Sequence, residues 1–461
     1  MSRELIKYMF FFYRRIIKPF RLRISLLLFV IKYNLRFYSA VNLIRHPSQL
    51  ISLFKRKGFR RILKRVVQIL FTRKSIDRTI ENSIDFSPFQ FDCFRILLSP
   101  TRKPTINLII DSLGKESIYG GVLTSITIAV YLSKQLGFKL RIVTTKDSYA
   151  DNSILKSINS DLSSIFSDIE VTSITEYSTT LLEVSQSDIY IPTSSWNCHK
   201  ALASFPHSKI FYLIQEDERL FFPSGDLSNL AQIVMANRSI KFIVNTESLR
   251  KGLIASGLDN FDKLSISFEP SFYYFTKSIQ DRQNKDRRNV ISFYARPNHP
   301  RNMFKTGMKA LTSIYSKGLL QDGDWKIELI GDCDLIPMID SVKFSFLPKM
   351  NLEEYTHYLR TVRLGVALMA SIHPGYPIFD FAASGIVGIT NKWPNKFDLT
   401  NVSKNIFMSE PSSEDLEGTI LKCMKLLTEN KIQNIGSLTI PYSNSWDRNL
   451  KDVLSFVRNN K

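Results

Sequence analysis

Cysteine is scarce in this sequence. The chain has 461 residues and four cysteines, which stand far apart as Cys93, Cys198, Cys333 and Cys423. No pair has CxxC spacing, and no cysteine falls in a cluster with histidines. A disulfide framework and a structural zinc site are therefore not expected, and a reducing compartment fits this cysteine usage best.

Long hydrophobic runs are also missing from the amino-terminal part of the chain. Its longest uncharged apolar run, Ile24 to Ile31, has eight residues, whereas a membrane-spanning helix needs about 20. No small-residue cleavage site follows this run, and basic residues return at Lys32 and Arg36. We therefore expect neither a spanning helix nor a cleaved signal peptide here.

Acidic residues are rare in the same part of the chain. Residues 1–103 contain 23 Lys and Arg against 5 Asp and Glu, a balance of +18. Because the whole chain carries +20, the remaining 358 residues hold only +2. A near-neutral body joined to a basic leader indicates an anionic partner, either a membrane surface or a nucleic acid.

Two stretches of this leader have amphipathic helical patterns, with basic residues opposite the apolar face. The apolar faces comprise Leu5, Met9, Phe12, Tyr13 and Ile16 in one stretch and Phe59, Ile62, Leu63, Val66 and Leu70 in the other. Such helices are typical of membrane interfaces, so we expect residues 1–75 to bind an anionic membrane surface. The alternative is a helix that packs on the body and leaves its basic face in solvent. No nucleic-acid motif accompanies the charge, so a nucleic-acid partner is not expected.

After Pro104 the pattern changes to short apolar runs that alternate with helical stretches. Strands are predicted at Thr105–Asp111, Leu140–Thr144, Ile189–Pro192, Ile210–Ile214 and Phe242–Asn245. A loop with Gly114, Gly120 and Gly121 leads into a helix whose predicted buried side carries Val122, Ile126, Ala129 and Val130. A strand, a helix and a further strand in succession predict a parallel sheet.

A polar stretch at 278–289 predicts a linker to a second α/β series. Its strands are predicted at Val290–Tyr294, Trp325–Ile330, Leu364–Met369 and Val387–Thr390, and its helices at Phe304–Ser316, Leu352–Thr361 and Ile378–Ser384. Two doubly wound halves predict an α/β fold in which two Rossmann-like domains face a cleft, with a basic helical amino-terminal extension. Ligands of such sheets bind beyond the carboxyl ends of the strands.

Polar residues and glycines follow several of these predicted strands. Arg296 leaves one strand and Arg301 comes five residues later, and two fixed cations of this kind stabilise a developing anion. Gly375 precedes a helix that contains Asp380 and ends in Ala-Ser-Gly. The other segments of interest are Gly120-Gly121, Gln215-Glu216-Asp217-Glu218, Gly331, and Phe346-Leu347-Pro348-Lys349.

Together these segments resemble the GT-B glycosyltransferases of the GT4 type, and within them the WsaF-like bacterial rhamnosyltransferases. The resemblance covers residues 105–455. It implies a first domain for the acceptor at 104–279 and a second domain for the nucleotide-sugar donor at 280–440, which a carboxyl-terminal helix at 441–461 follows. The resemblance does not include the basic extension at 1–103.

The resemblance also assigns roles to residues of the second half. It implies that Arg296 and Arg301 clamp the donor diphosphate, that Asp380 accepts hydrogen bonds from the ribose, and that Gly375 and Tyr376 bring backbone N–H groups to the phosphates. The family has a glutamate where His373 stands, so this sequence departs from the pattern at the position that holds the sugar.

The remaining assignments follow from the same resemblance. Gly120 and Gly121 belong to a loop that points at the donor phosphate, and Lys349 to the segment that binds the nucleobase. Glu216 and Asp217 are candidates for acceptor orientation or general base, which an inverting reaction requires. Asp332, Cys333 and Asp334 match a metal-binding DxD motif only superficially, so no metal and no cofactor is expected.

The sequence therefore predicts a metal-independent glycosyltransferase. The implied donor is dTDP-rhamnose, the acceptor a lipid-carried or growing surface glycan, and the location the cytoplasmic face of the cell membrane as a peripheral protein. The alternative is a non-catalytic protein of the same fold that binds a nucleotide or a glycan. Turnover of donor and acceptor distinguishes the two.

Overall fold

The computed structural model describes residues 93–114, 120–146, 169–175, 180–272, 287–321, 323–331, 344–432, 438, 442 and 445–461. The predictions for the membrane-binding leader and for the Asp332–Asp334 motif lie outside the described residues, as does most of the predicted linker. The described residues belong to one compact unit that spans 87–461.

The first half of this unit is built on parallel strands. They are β1 Ile96–Leu98, β2 Thr105–Ile110, β3 Lys139–Thr144, β4 Glu170–Ser173, β5 Leu182–Val184, β6 Ile189–Pro192, β7 Phe211–Ile214, β8 Lys241–Asn245 and β9 Ser265–Phe268. Two sheets, of order β4-β3-β2-β6 and β7-β8-β9, are joined by a parallel bridge between Tyr190 and Ile210. Strands β1 and β5 form a separate parallel pair.

Helices connect these strands on both faces of the sheets. Those among the described residues are α1 Gly120–Leu136, α2 Ser195–Ser204, α3 Asp226–Met235, α4 Glu247–Ala255 and α5 Asn260–Leu264, with 3-10 turns at His207–Lys209 and Glu218–Phe221. All six residues of β2 are buried, as expected for a central parallel strand covered on both faces. Helix α1 buries Ile126, Ala129 and Val130 as predicted, whereas Val122 is only partly buried.

The second half has one six-stranded parallel sheet. Its strands are β10 Arg288–Ala295, β11 Lys326–Gly331, β12 Ser345–Phe346, β13 Val362–Val366, β14 Val387–Asn391 and β15 Ile406–Ser409, in the order β12-β11-β10-β13-β14-β15. Its helices are α6 Phe304–Ser316, α7 Leu352–Leu359, α8 Tyr376–Ala383 and α9 Ser413–Thr428, with 3-10 turns at Pro300–Asn302 and Leu399–Asn401.

The chain returns to the first half at its carboxyl end. Helices α10 Trp446–Asn449 and α11 Lys451–Asn460 follow the second sheet. Leu450, between these two helices, and Val453 and Val457 of α11 are buried in the same apolar cluster as Ile106 of β2. Burial of these apolar side chains stabilises the crossing back to the first half.

The predicted α/β fold of two Rossmann-like halves is confirmed. The predicted carboxyl-terminal helix at 441–461 is two helices, α10 and α11, that begin at Trp446 and Lys451. Strand β13 is predicted to end at Met369 but ends at Val366. The chain leaves the sheet early because Met369 and Ala370 pair with other groups: Met369 N donates to the Asn391 side chain at 2.7 Å, and Ala370 N donates to Arg301 O at 2.7 Å. These hydrogen bonds hold the segment that begins at residue 367 at the cleft.

Within the described ranges, no helix combines the length and the apolar character that a bilayer crossing requires.

Candidate active site

The two halves meet at the carboxyl ends of their strands, and Tyr376 lies at the centre of the contact. Its hydroxyl is 2.8 Å from Thr124 Oγ1 of α1 and accepts a hydrogen bond from Asn245 Nδ2, at the end of β8, at 3.0 Å. Gly120 has a φ of +40°, and a Cβ there would lie 3.2 Å from the Tyr376 ring. A glycine therefore suits both the backbone and the close approach of the ring.

A second contact between the halves is apolar. The side chain of Ile372, from the loop before α8, is buried in the apolar cluster of the first half. A Cβ at Gly252 in α4 would lie only 2.5 Å from it. This close approach fixes the loop that carries Ser371 and His373 against the first half.

The other predicted glycine, Gly121, lies against the end of β7. Gln215 Nε2 donates to Gly121 O at 2.9 Å, and a Cβ at Gly121 would lie 3.2 Å from Gln215 Oε1. The start of α1 and the segment after β7 are therefore held together at the cleft.

Glu216 connects the first half to two residues of the second half. Its Oε2 is 3.2 Å from Arg301 Nη1, and its Oε1 accepts a hydrogen bond from the Ser371 hydroxyl. Burial raises the pKa of Glu216, and the charge of Arg301 opposes that shift. The ion pair spans the cleft at the place where the resemblance expects a donor diphosphate.

Arg301 is held by its backbone and by an aromatic ring. It sits in the 3-10 turn that Pro300 begins, and its carbonyl accepts from Ala370 N. Its guanidinium lies 4.1 Å from the centre of the Phe221 ring, a stacking geometry that arginine favours. Burial lowers the pKa of Arg301, while Glu216 acts in the opposite direction.

The second predicted cation, Arg296, follows directly on β10. It is partly exposed, and its guanidinium is hydrogen-bonded to His299. Arg296 is close enough for its charge to act on Arg301 and lower the pKa of that guanidinium further. The predicted pair of cations is thus brought to one edge of the second sheet.

His373 is buried and neutral. Its Nδ1 accepts from Gly375 N at 3.1 Å, and its Nε2 is buried with no hydrogen-bond partner among the described residues. The ring lies 5.9 Å from that of Tyr376 and 6.1 Å from that of Phe379. Burial lowers the pKa of His373 to about 3, and the nearby charge of Lys396 acts in the same direction.

Asp380 lies within α8, below the left-handed Gly375 that caps the helix at a φ of +79°. Its side chain is buried, and the Tyr355 hydroxyl donates to Oδ2 at 3.5 Å. Burial raises the pKa of Asp380 to about 8. A buried carboxyl with one long hydrogen bond retains acceptor capacity for further donors.

The sequence reasoning missed Lys396, in the loop after β14. Its Nζ donates to Met369 O at 2.7 Å, in the segment after β13, and to Asn391 O at 3.1 Å, at the end of β14. Burial lowers the pKa of Lys396 to about 7, and the Glu216 charge opposes the shift. Nothing local distinguishes this lysine from a surface one, because only the folding of the loop brings it to Glu216.

Asp217 and Lys349 take other positions, although the charge of Asp217 still acts on Arg301. The Asp217 side chain pairs with Arg219, with Oδ2 at 2.7 Å from Nη2, and caps the 3-10 turn that follows β7. Lys349 is exposed between β12 and α7. The structure adds Glu218, which is buried and accepts from Ser195 N at 2.6 Å; burial raises the pKa of Glu218 to about 7.

In the part of the chain that the structure describes, no three His, Cys, Asp or Glu side chains gather as metal ligands would. The cationic groups described above are Arg296, Arg301 and Lys396, and the charges of Arg301 and Lys396 act on the Glu216 carboxylate. This set can bind and stabilise an anionic ligand with hydrogen bonds and fixed charge.

Sequence models of two protein domains match this chain. The N-terminal domain of WsaF matches residues 105–246, and the C-terminal domain of WsaF matches residues 289–421. These two ranges contain β2 to β8 of the first half and, except for Arg288, β10 to β15 of the second half. They include the glycine start of α1, Glu216, Arg301 and Asp380.

Similar proteins include a curated relative and several solved structures. The O-antigen biosynthesis protein RfbC of Myxococcus xanthus is 26% identical over 209 residues, which are 44% of this chain and 15% of RfbC; the chain thus spans a small part of that relative. HepE of Anabaena, solved with UDP-glucose, is 14% identical, with a TM-score of 0.48 over 77% of this chain and 98% of HepE. WaaG, described as a glycosyltransferase of lipopolysaccharide biosynthesis, is 11% identical, with a TM-score of 0.46 over 79% of this chain and 98% of WaaG.

Proposed function

We propose that this chain, which belongs to the WsaF family of GT-B glycosyltransferases, transfers rhamnose from a dTDP-linked donor to a growing surface glycan. The observation that carries the proposal is the position of Arg301. Its guanidinium lies in the cleft between the halves, 3.2 Å from a carboxylate of the opposite half. That carboxylate occupies the place where a donor diphosphate would pair with the same cation.

The donor side of the proposal rests on the cations of the second half. Arg301, Arg296 and Lys396 lie at the carboxyl ends of its strands. Together they would hold the diphosphate and stabilise the charge that develops on it as the bond to the sugar breaks. Fixed cations can supply this stabilisation without a divalent metal, so we propose a metal-independent reaction.

Two buried groups next to these cations would hold the rest of the donor. Asp380 would accept hydrogen bonds from the ribose hydroxyls. His373 presents a neutral imidazole whose Nε2 is buried and has no partner among the described residues, so it would bond a hydroxyl of the sugar or a phosphate oxygen. A buried polar atom without a partner is costly, and a ligand that completes the hydrogen bond binds more tightly for that reason.

The acceptor would bind to the first half. Displaced from Arg301 by the diphosphate, Glu216 would be left facing the sugar with a raised pKa, which suits a group that takes a proton from an acceptor hydroxyl. A lipid-carried saccharide as acceptor fits the basic leader. We therefore place the protein at the cytoplasmic face of the membrane, held there peripherally by residues 1–75.

Donor binding and donor turnover test this proposal in sequence. A thermal-shift screen should show stabilisation by dTDP and dTDP-rhamnose, since a ligand at a hundred times its Kd adds about 2.7 kcal/mol. Incubation with dTDP-rhamnose and a lipid-linked saccharide should then release dTDP, both with and without EDTA.

Three results would count against parts of the proposal. A preference for another nucleotide sugar would overturn the donor assignment. A strict requirement for a divalent metal would overturn metal independence. Tight binding of the donor without release of the nucleotide would favour the non-catalytic alternative.

A further inference from the structure

A cluster of aromatic and charged side chains lies on the first half, beside the residues already described. Asp111 follows β2, Lys146 follows β3, and Trp196 stands in the first turn of α2 after β6. Because β3, β2 and β6 are adjacent in one parallel sheet, all three side chains come from the same sheet edge. That edge faces the cleft.

Hydrogen bonds fix the orientation of this cluster. Trp196 Nε1 and Asn197 Nδ2 donate to Asp111 Oδ1 at 2.7 and 2.8 Å. Thr145 in turn donates to Asn197 Oδ1 at 3.0 Å, which orients the amide. Lys146 Nζ lies 3.0 Å from Asp111 Oδ2 and 5.2 Å from the centre of the indole. The indole and the carboxylate are thus held in place before any ligand arrives.

The backbone beneath Trp196 is also fixed. The first turn of α2 is held by the buried carboxylate of Glu218, which accepts from Ser195 N, and by the Ser194 side chain, which accepts from Asn197 N. These bonds come from residues that the cation site does not use. They explain how a partly exposed tryptophan keeps one position.

The cluster continues into the proposed catalytic centre through two phenylalanines. The Phe222 ring meets the indole edge-on at 6.1 Å, and the Phe221 ring lies 6.3 Å from it. The guanidinium of Arg301 stacks on Phe221, 4.1 Å from the centre of that ring. One aromatic ring therefore separates the indole of the first half from the donor cation of the second half.

We infer that Trp196, Phe222, Asp111 and Lys146 form a binding site for a pyranose ring of the acceptor glycan, an assignment that rests on the proposed transferase function. A pyranose has an apolar C–H face and a rim of hydroxyl groups. The partly exposed aromatic rings would receive the apolar face. The side chains of Asp111 and Lys146, which are 29% and 59% exposed, would accept from and donate to the hydroxyls.

The position of the cluster assigns it to the acceptor rather than to the donor. The donor cations, the ribose carboxyl and His373 all belong to the second half. The aromatic cluster belongs to the first half and borders Arg301 through Phe221. A sugar seated there would lie on the side of Glu216 from which a hydroxyl could approach the donor.

Saturation-transfer NMR on the full-length protein tests this inference, with methyl α-rhamnoside, methyl α-glucoside and methyl β-galactoside as probes. At least one glycoside should show transfer to its ring protons in the wild type. Trp196→Ala should weaken that affinity about tenfold, the scale of a well-placed aromatic contact. Asp111→Asn, which retains the shape of the carboxylate, should weaken it by a smaller factor.

Tyr315→Ala provides a matched control, because Tyr315 is a partly buried aromatic residue on α6, where it packs near Phe344 at 6.4 Å. It should leave glycoside binding unchanged. A thermal shift with dTDP, measured on every variant, reports whether the donor site is intact. If Trp196→Ala fails to fold, Asp111→Asn decides the question.

Different results would contradict the acceptor site and the proposed donor. No transfer to any glycoside, or equal transfer in the wild type, Trp196→Ala and Asp111→Asn, overturns the acceptor site while dTDP still stabilises the protein. Absence of stabilisation by any nucleotide in the wild type overturns the proposed donor instead.

Discussion

Glu216 Oε2 lies 3.2 Å from Arg301 Nη1, so a carboxylate of the first half pairs with a cation of the second half across the cleft. Both groups are largely buried, with side-chain exposures of 12% and 25%. The two charges therefore interact in a medium less polar than water, where the Coulomb energy between them is larger. An anionic ligand that approaches Arg301 must compete with this carboxylate.

The first prediction concerns the two arginines. Arg296→Ala and Arg301→Ala should each lower the rate of transfer at least ~10²-fold, the usual effect of removing a preorganised charge contact at a reacting anion. Folding should change little for Arg296→Ala. The rates are measured as release of dTDP from dTDP-rhamnose.

Arg238→Ala serves as the control for these two variants, because Arg238 is exposed and pairs on the surface with Asp259 at 2.8 Å. Its rate should equal that of the wild type. If Arg296→Ala also turned over at the wild-type rate, that arginine would be a surface residue without a role in transfer.

The second prediction concerns Glu216. Glu216→Gln removes the charge that competes for Arg301, so the affinity for dTDP should rise severalfold while turnover with acceptor falls. Calorimetry measures the affinity for dTDP, and a transfer assay on the same samples measures turnover. The two quantities should change in opposite directions.

Asp217→Asn is the matched control for Glu216→Gln. The neighbouring Asp217 pairs with Arg219 within its own half and acts on Arg301 less than Glu216 does, so its substitution should change nucleotide affinity by a much smaller factor. A loss of dTDP affinity in Glu216→Gln would show that the carboxylate positions Arg301 rather than competes for it.

The third prediction concerns the dependence of donor binding on pH. Burial raises the pKa of Asp380 to about 8 and lowers the pKa of Lys396 to about 7. We expect the donor to need an ionised Asp380 and a protonated Lys396. As the pH rises, the affinity for the donor should then increase while Asp380 loses its proton and decrease while Lys396 loses its proton. The profile should be bell-shaped, with its maximum between the two pKa values.

Single substitutions test which residue causes the acid side and which the alkaline side of this pH profile. Asp380→Asn should weaken nucleotide binding, leave acceptor binding unchanged and remove the rise on the acid side. Lys396→Met should remove the fall on the alkaline side. Calorimetric titration of dTDP at several pH values measures both, and a flat wild-type profile would show that neither group titrates on binding.

The fourth prediction concerns the basic leader. A truncated protein without residues 1–86 should be released from anionic vesicles and still bind dTDP. Each basic residue near an anionic bilayer is worth about 1 kcal/mol, and salt screens exposed charges beyond about 10 Å. Binding of the full-length chain should therefore weaken as salt rises, as measured by vesicle cosedimentation.

The structure sets the point at which such a deletion must stop. Phe94 is buried and stacks on Phe205 at 5.4 Å, and β1 pairs with β5. Removing these residues would damage the body. Indifference of the full-length chain to anionic vesicles at low salt would contradict the membrane role of the leader.

Substitutions within the leader distinguish the contribution of its charges to vesicle binding from that of its apolar side chains. Changing the apolar residues Phe59, Leu63 and Val66 to Ser should leave binding that is still strongly salt-dependent. Removing the charges of Arg60, Arg61, Lys64 and Arg65 should leave weaker binding with a shallower salt dependence.

The sequence alone determined the two Rossmann-like halves and nine of the fifteen strands that the structure describes. The run Thr105–Ile110 forms a fully buried strand and Phe304–Ser316 forms a helix at its predicted bounds, because local apolar periodicity specifies both. Arg296, Arg301 and Asp380 could also be identified, because the segments that contain them resemble those of the GT-B glycosyltransferases. These signals are local in the chain.

The tertiary structure decided which of these residues meet. Glu216 and Asp217 are neighbours in sequence, yet of the two it is Glu216 that reaches Arg301, because Asp217 is turned toward Arg219. Lys396 and Trp196 carry no local motif, and they reach the cleft because parallel strands end at one sheet edge. Contacts between residues far apart in the chain depend on how the two sheets pack, and a single sequence does not encode that packing in any local pattern.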